Sequence, residues 1–452
     1  MEELGVFSML SIKTVEKLNS TKPRFPIPDE HRIHSLRDRI GYLAVDSLDR
    51  ESTGEKTFTE LDAARILAEA ARRMNLSLES QGRTSRRPFE FKTGSDGVGG
   101  KLDWYMDYSK RFESLEIVRN VIFDLVAMVC DDLLREGFTP ERMGIIIDII
   151  GDLSEELVQE ISYGYAMGGD QSGVLIDADG SEFAHGRRKK IEEPNRGILN
   201  AYAIPRPSEK EARITKDMIK QGQYIIALYQ EGMMRSNGAT LVRDMAQKAF
   251  GEEDYINKMS EDMLKDIAKP SQPYTPLLHY LMGDEDNLPA LPSSYQKTGH
   301  GITGFIHVTG GGIWLKGSRF LAGTGLSMFI DNQFAPSEFS NELQRKSSVS
   351  GDTVYGVLSA GNGGYLVVES WEQAVEALEK IKEYNETETN RARAFGEQYS
   401  DIGLTRAPMP VRAQIAGQVI ETPEGESPFI LLRNKTADAG EKRREYYKYY
   451  IP

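Results

Sequence analysis

The sequence predicts an α/β (α+β) protein of two domains, and three observations predict it. Strand-like apolar runs alternate with helix-like periodicities along most of the chain. Two glycine-rich turns, one in each half, interrupt that alternation: Ser95-Asp96-Gly97-Val98-Gly99-Gly100-Lys101 and His307-Val308-Thr309-Gly310-Gly311-Gly312. The length of 452 residues exceeds what one ordinary core organises. Prolines and charges at 205–209 place the break. The expected organisation is an arm (1–56), a first domain (57–205), a second domain (206–433) and a basic, tyrosine-rich tail (434–452).

The arm is polar and punctuated by Pro23, Pro26 and Pro28. Residues 59–76 carry Leu61, Ala64, Ile66, Leu67, Ala70 and Ala71 at helical spacing, with Thr59 as N-cap. A basic loop at 81–88 and a short strand lead into the first glycine turn. The segment 113–136 is apolar on most of its circumference, so the expected helix is buried on more than one side, with Gly137 ending it. Met143 to Ile150 reads as a central strand, 154–163 as a helix ending near Gly164 to Gly169, 177–195 as a charged insert and 197–204 as a strand. The second half repeats the style. It has a strand at 224–228, a turn at 232–238, a helix from 239 to 249, and strands at 304–308, 353–358 and 365–368. A helix carrying Ala374, Val375, Leu378 and Ile381 follows. Further inserts are expected near 282–300 and 333–350.

Composition bounds function. A net charge of −14 argues against a nucleic-acid binder, which needs a basic surface. The single cysteine, Cys130, cannot form an internal disulfide and is read as a buried, inert thiol. The acidic start lacks a signal-like apolar run and no segment has the length of a membrane helix, so a cytoplasmic location is expected.

The chemistry-bearing residues fall into four groups. Asp96 and Lys101 lie on the first glycine turn, whose N–H groups suit an anion, the lysine acting as a point charge. The apolar helix carries Asp124, Asp131 and Asp132. The first two share a face, and the last two sit where the helix dipole disfavours negative charge. Either a divalent cation or a base such as Arg135 would offset that cost. Arg235-Ser236-Asn237-Gly238 opens a helix, a geometry that serves capping or phosphate binding. His307 stands beside Thr309 and the three glycines, within reach of a bound anion. His279 and His300 have no such company.

In order, these segments resemble one family, aminoimidazole ribonucleotide synthetase, or phosphoribosylformylglycinamidine cyclo-ligase, of the PurM-like superfamily. Asp96 to Lys101 is similar to the family's Asp-Gly-Val-Gly-Thr-Lys. Asp124-Leu125-Val126-Ala127-Met128 with Asp131-Asp132-Leu133, Gly168-Gly169-Asp170, Ser236-Asn237-Gly238 with Leu241-Val242-Arg243, Lys269-Pro270-Ser271 to Tyr274, and His307 to Gly312 follow in the family's order. The match runs from about 90 to 370, with a weaker echo at 414–419. Departures are Gly100 for the family's Thr, Asp131 for Asn, Asp170 for Glu and Arg235 for His. The glycine-rich segment before the first motif is replaced by Arg83 to Pro88.

The resemblance implies an N-terminal sheet domain that dimerises and a C-terminal α/β domain. It implies ATP and Mg²⁺ as cofactors and a nucleotide substrate. In the implied reaction, ATP phosphorylates the formyl-amide oxygen of formylglycinamidine ribonucleotide, and a ring nitrogen then displaces phosphate. It makes Asp96, Lys101 and His307 the expected catalytic residues, with Asp96 and Asp132 on the metal. Gly97, Gly99, Gly100, Asp131, Asp132, Gly168, Gly169 and Asp170 would line the nucleotide. Arg235, Ser236, Asn237, Thr309, Gly310, Gly311 and Gly312 would hold substrate or phosphate. Related ATP-dependent enzymes, similar to thiamine monophosphate kinase, selenophosphate synthetase or a hydrogenase maturation factor, and a nucleotide-binding protein without catalysis, are the alternatives.

Overall fold

The computed structural model describes residues 93–150, 154–177, 181–186, 196–205, 214–283, 291–294, 299–437 and 445–451. The expected arm, the helix at 59–76 and the basic loop at 81–88 lie outside the described residues. So do residues 206–213 and much of the segments 177–195 and 282–300.

The first sheet grows from an alternating pattern. β1 (Gly94–Gly97), β5 (Arg196–Pro205) and β2 (Pro140–Ile150) pair antiparallel in that order. β3 (Leu175–Ile176) and β4 (Glu182–Gly186) both pair with β2 in parallel. Met143, Ile145, Ile147 and Ile149 of β2 and Leu199, Ala201 and Ala203 of β5 point inward. They bury against α2 (Val121–Leu134) and its neighbours α1 (Lys101–Phe112) and α3 (Glu155–Ser172). The opposite face keeps Ile150 and Ile198 exposed. Burial of nearly all of α2 follows from its apolar circumference. The helix expected at 113–136 is interrupted, because Glu113 adopts a left-handed conformation that ends α1, and α2 starts only at Val121.

α3 runs nine residues past the end predicted for it. Gly164 and Gly168 do not break it; they are four apart on the face that packs on α2. A Cβ at Gly164 would lie 2.6 Å from the Arg119 carbonyl oxygen, and one at Gly168 would lie 2.8 Å from Ile122 Cγ2. The helix instead stops at Gly173, with φ +70°.

The second sheet has seven strands. Their order is β12 (Tyr446–Tyr450), β11 (Phe429–Arg433), β8 (Leu326–Ile330), β10 (Ala413–Glu421), β6 (Tyr224–Tyr229), β9 (Asn362–Val368) and β7 (Ile302–His307). Both faces are covered, which explains continuous apolar runs rather than alternation. Ile225, Ala227, Tyr365 and Val367 face one core with Val242, Met245 and Ile313. Ile226, Leu228, Leu366 and Val368 face the other with Leu277, Ala377 and Ile381. The helices are α4 (Ala239–Phe250), α5 (Tyr255–Lys258), α6 (Glu261–Ile267), α7 (Thr275–Met282), α8 (Gly312–Leu321), α9 (Glu338–Ser347), α10 (Gly351–Val357) and α11 (Trp371–Gln398). Residues 353–358, expected as a strand, form most of α10, because the Ser350 side chain accepts the Thr353 N–H and starts a helix. The end of the expected tail supplies the edge strand β12. Residues 92–452 form one compact unit that holds both sheets. No described helix is long and apolar enough to cross a membrane.

His300, just before β7, is buried, and burial pushes its pKa down to about 4. Its Nδ1 accepts the Ile302 N–H, so protonation there breaks a bond. The unfolded imidazole titrates near 6.5, so the unfolded state binds more protons between pH 6.5 and 4. Stability is therefore lost as pH falls through that window, by up to about 3 kcal/mol. His300→Gln is expected to flatten this acid limb in urea titrations. An unchanged limb would contradict the assignment.

Candidate active site

α2 carries two aspartates on one face, and both reach into the segment 269–275 of the second half. The Asp124 carboxylate accepts from Lys101 Nζ (2.7 Å), the Ser271 N–H (2.8 Å), the Ser271 hydroxyl and the Tyr105 hydroxyl. The Asp131 carboxylate accepts from the Tyr274 N–H (3.0 Å), the Thr275 N–H (2.8 Å) and the Thr275 hydroxyl (2.8 Å), at the N-terminus of α7. The seven-residue spacing thus becomes two fixed attachments of α2 to one loop. An acid seated at a helix N-terminus is favoured by the exposed N–H groups there.

Asp131 also forms a buried ion pair with Arg235, whose Nη2 lies 3.2 Å from Oδ2. Arg235 is fully buried. Its Nη1 donates to Gln230 Oε1 and to the Gln272 carbonyl, both at 3.0 Å, and its plane lies over the Tyr274 ring. Its Nε has no partner among the described residues. Arg235 Nη2 also lies 3.1 Å from His307 Nε2. The other ring nitrogen, Nδ1, is 2.8 Å from Asp132 Oδ1. Arginine can only donate and the carboxylate can only accept, so His307 carries its proton on Nδ1 and accepts at Nε2. Burial lowers its pKa to about 4, which keeps the ring neutral. Both nitrogens are committed to protein partners.

Asp132, at the end of α2, is a third exposed. Against the cost of its partial burial, Arg135, His307 and Lys316 hold its carboxyl well below the usual range. Asp96 is the penultimate residue of β1, accepts the Gly97 N–H at 2.7 Å and lies within electrostatic reach of Asp132 and Lys316. Burial, with the neighbouring Asp132, raises its pKa to about 6. Two carboxylates in mutual repulsion, one with an oxygen left over, are a donor set that suits Mg²⁺ shared with phosphates. Lys316 on α8 completes the group. Burial lowers its ammonium to about 8, and Asp132 works against that shift. The chain thus brings Asp96, Asp132, His307 and Lys316 together from β1, α2, β7 and α8.

The remaining predicted residues distribute as follows. Gly97 to Gly100 turns directly into α1, and a Cβ at Gly100 would sit 3.6 Å from the Ala239 Cβ at the start of α4. The two turns of the first half and of residues 235–238 are therefore neighbours. Gly99 has φ +52°. Ser236 donates to the Asp124 carbonyl, and Asn237 Nδ2 donates to the Val357 carbonyl, leaving its Oδ1 without a partner among the described residues. Thr309, Gly310, Gly311 and Gly312 are buried and lead into α8, with Gly311 at φ +86°. Lys101, expected beside a phosphate, is instead fully buried between Asp124 and the Lys269 carbonyl, so its charge is already neutralised. Gly168, Gly169 and Asp170 are not brought to this group by any contact. Gly168 serves helix packing, and Asp170 pairs with Arg406, which also holds Glu388. Cys130 is buried and free, and burial raises its thiol well above the usual range.

Sequence reading missed Lys316. Its signal was its place four residues after Gly312, one turn into the helix that the glycine run opens.

No protein-family profile matches the chain. The phosphoribosylformylglycinamidine cyclo-ligase of Prochlorococcus marinus (strain MIT 9211) is 30% identical over 290 residues, 63% of this chain and 75% of that protein. The enzyme of the same name from Alkaliphilus metalliredigens (strain QYMF) is 28% identical over 299 residues, 64% and 76% of the two chains. Among solved structures, E. coli HypE, a hydrogenase maturation protein, is 13% identical, covers 75% of this chain and 81% of that one, and has a TM-score of 0.42. Thiamine monophosphate kinase from Aquifex aeolicus is 10% identical, with 79% and 95% coverage and a TM-score of 0.43.

The chain is a mixed α/β protein of the PurM-like superfamily, a divergent member with its acidic and basic groups gathered where helices and glycine turns of both halves meet. Within that superfamily it belongs to the phosphoribosylformylglycinamidine cyclo-ligase family.

Proposed function

We propose that the protein is an ATP-dependent cyclo-ligase that converts formylglycinamidine ribonucleotide to aminoimidazole ribonucleotide, releasing ADP and phosphate. The observation that carries this reading is the convergence of Asp96, Asp132 and Lys316 beside the glycine turns of both halves. Family membership supports this choice of acceptor. The γ-phosphoryl group passes to the formyl-amide oxygen, breaking the bond to ADP. The amidine nitrogen that is to become part of the ring then attacks the same carbon, the carbon–oxygen bond breaks, and the oxygen leaves with its electron pair as part of phosphate. A proton is lost as the imidazole closes. Phosphoryl transfer of this kind depends mostly on positioning and charge. Asp96 and Asp132 would hold Mg²⁺, which neutralises phosphate charge when bound. His307, held neutral, keeps Asp132 and Arg235 in place beside it.

The test is direct. Purified protein with Mg-ATP and formylglycinamidine ribonucleotide should yield ADP and aminoimidazole ribonucleotide in equal amounts. ATP binding without that product would overturn the reading. A second reading keeps phosphoryl transfer and changes the acceptor. It is favoured by the Asp131–Arg235 pair, which stands where the family pattern has asparagine and histidine. ADP release only with another acceptor would select it.

Assembly as a homodimer belongs to the same proposal. The outer face of the first sheet exposes Ile150 and Ile198, apolar groups suited to a partner's sheet. Ile198→Glu is expected to convert a dimer to a monomer in light scattering coupled to gel filtration. A variant that remains dimeric would place the interface elsewhere.

A further inference from the structure

Lys316 is 8% exposed, yet its ammonium makes no hydrogen bond and no ion pair with any described residue. Long side chains on a helix lean back toward its N-terminus. Lys316 sits one turn into α8, so its stem runs toward the first turn of that helix, where the Gly312 N–H donates to the Thr309 carbonyl and the N–H groups of Ile313 and Trp314 have no intrahelical carbonyl to meet. α8 has ten residues, long enough for its N-terminus to favour an anion. The surroundings point the same way. Asp96, Asp132, His307, Arg135 and Arg319 all lie within electrostatic reach of the ammonium, which places it beside the group built from both halves. A buried cation with no partner is unfavourable unless something negative comes to it. The other lysine of the site, Lys101, cannot take that part, because Asp124 and the Lys269 carbonyl already hold it.

We propose that Lys316 and the N-terminus of α8 form the phosphate-contacting cationic site of this protein, in the role that the sequence suggested for Lys101. The ligand class is a phosphoryl group presented with a divalent cation, the cation resting on the Asp96 and Asp132 side. The assignment rests on the phosphoryl-transfer reading above and names the residue that meets the transferred group.

The probe is inorganic tripolyphosphate with Mg²⁺, followed by calorimetry on the full chain. Wild type should bind, Lys316→Met should bind at least about tenfold more weakly, and Lys316→Arg should stay within about threefold because it keeps the charge. Lys316→Gln should follow Lys316→Met. The ligand-free Tm of Lys316→Met should not fall appreciably, since relief of the ammonium from burial offsets its lost attraction to Asp132. A purely structural role predicts the opposite. Equal binding by wild type and Lys316→Met, or no binding by wild type, would overturn the proposal. Lysine-dependent tripolyphosphate binding in a protein that forms no aminoimidazole ribonucleotide would uphold the anion site and overturn only the cyclo-ligase reaction.

Discussion

Replacing Arg235 with methionine is expected to lower stability by about 3–5 kcal/mol and to abolish turnover. The side chain is wholly buried and joins four groups: Asp131, His307, Gln230 and the Gln272 carbonyl. Methionine fills much of the same volume, so the loss is electrostatic rather than a cavity. It leaves the Asp131 carboxylate buried without its counter-charge and His307 Nε2 without its donor. The remaining N–H bonds from Tyr274 and Thr275 soften the effect but do not cancel it. The decisive control is the double variant Arg235→Met with Asp131→Asn. Removing both charges together is far less costly than removing one, so the pair should show a coupling of about 2 kcal/mol or more in a double-mutant cycle. Urea titrations of the four proteins provide the measurement. Additive effects would mean that the two residues do not stabilise each other.

Gly312→Ala is the second large effect. Gly312 has φ +58°, where a side chain costs about 1–2 kcal/mol. An added Cβ would also lie 1.9 Å from the Tyr355 carbonyl oxygen, a backbone atom of α10 that cannot rotate away. Overpacking of that kind adds about 1–3 kcal/mol. Together the two effects amount to about 2–5 kcal/mol, and they displace the start of α8 and with it Lys316. Gly323→Ala separates them. It too has positive φ, +81°, but nothing lies within 4 Å of the added carbon. It should cost only the conformational part and leave nucleotide binding intact. If both variants lose the same stability, contact with α10 is not what fixes the glycine.

The sequence reading and the structure agree where one local rule decides the outcome. The nearly continuous apolar run of β2 and the apolar circumference of α2 carry the first sheet. The uninterrupted runs of β6 and β9 carry the second. Disagreement arises where a residue's partner is distant in sequence. Gly164 and Gly168 look like breakers until Ile122 and the Arg119 carbonyl are seen pressed against them. Lys101 looks like a phosphate ligand on its turn, yet Asp124, 23 residues on, claims it. Two departures from the family pattern, Asp131 and Arg235, lie 104 residues apart and turn out to be one ion pair. Each alone reads as damage to a site. Together they form one buried pair whose charges balance. Lys316 escaped notice for the same reason, since nothing near it in sequence names Asp96 or Asp132 as its neighbours.

The cyclo-ligase reaction makes one demand that no simple ATPase or kinase shares: the amide oxygen must leave as part of phosphate. Formylglycinamidine ribonucleotide labelled with ¹⁸O at the formyl oxygen, turned over with Mg-ATP, should therefore yield inorganic phosphate carrying one labelled oxygen per aminoimidazole ribonucleotide formed. Unlabelled phosphate, or label retained in the organic product, would contradict the proposed chemistry of this site.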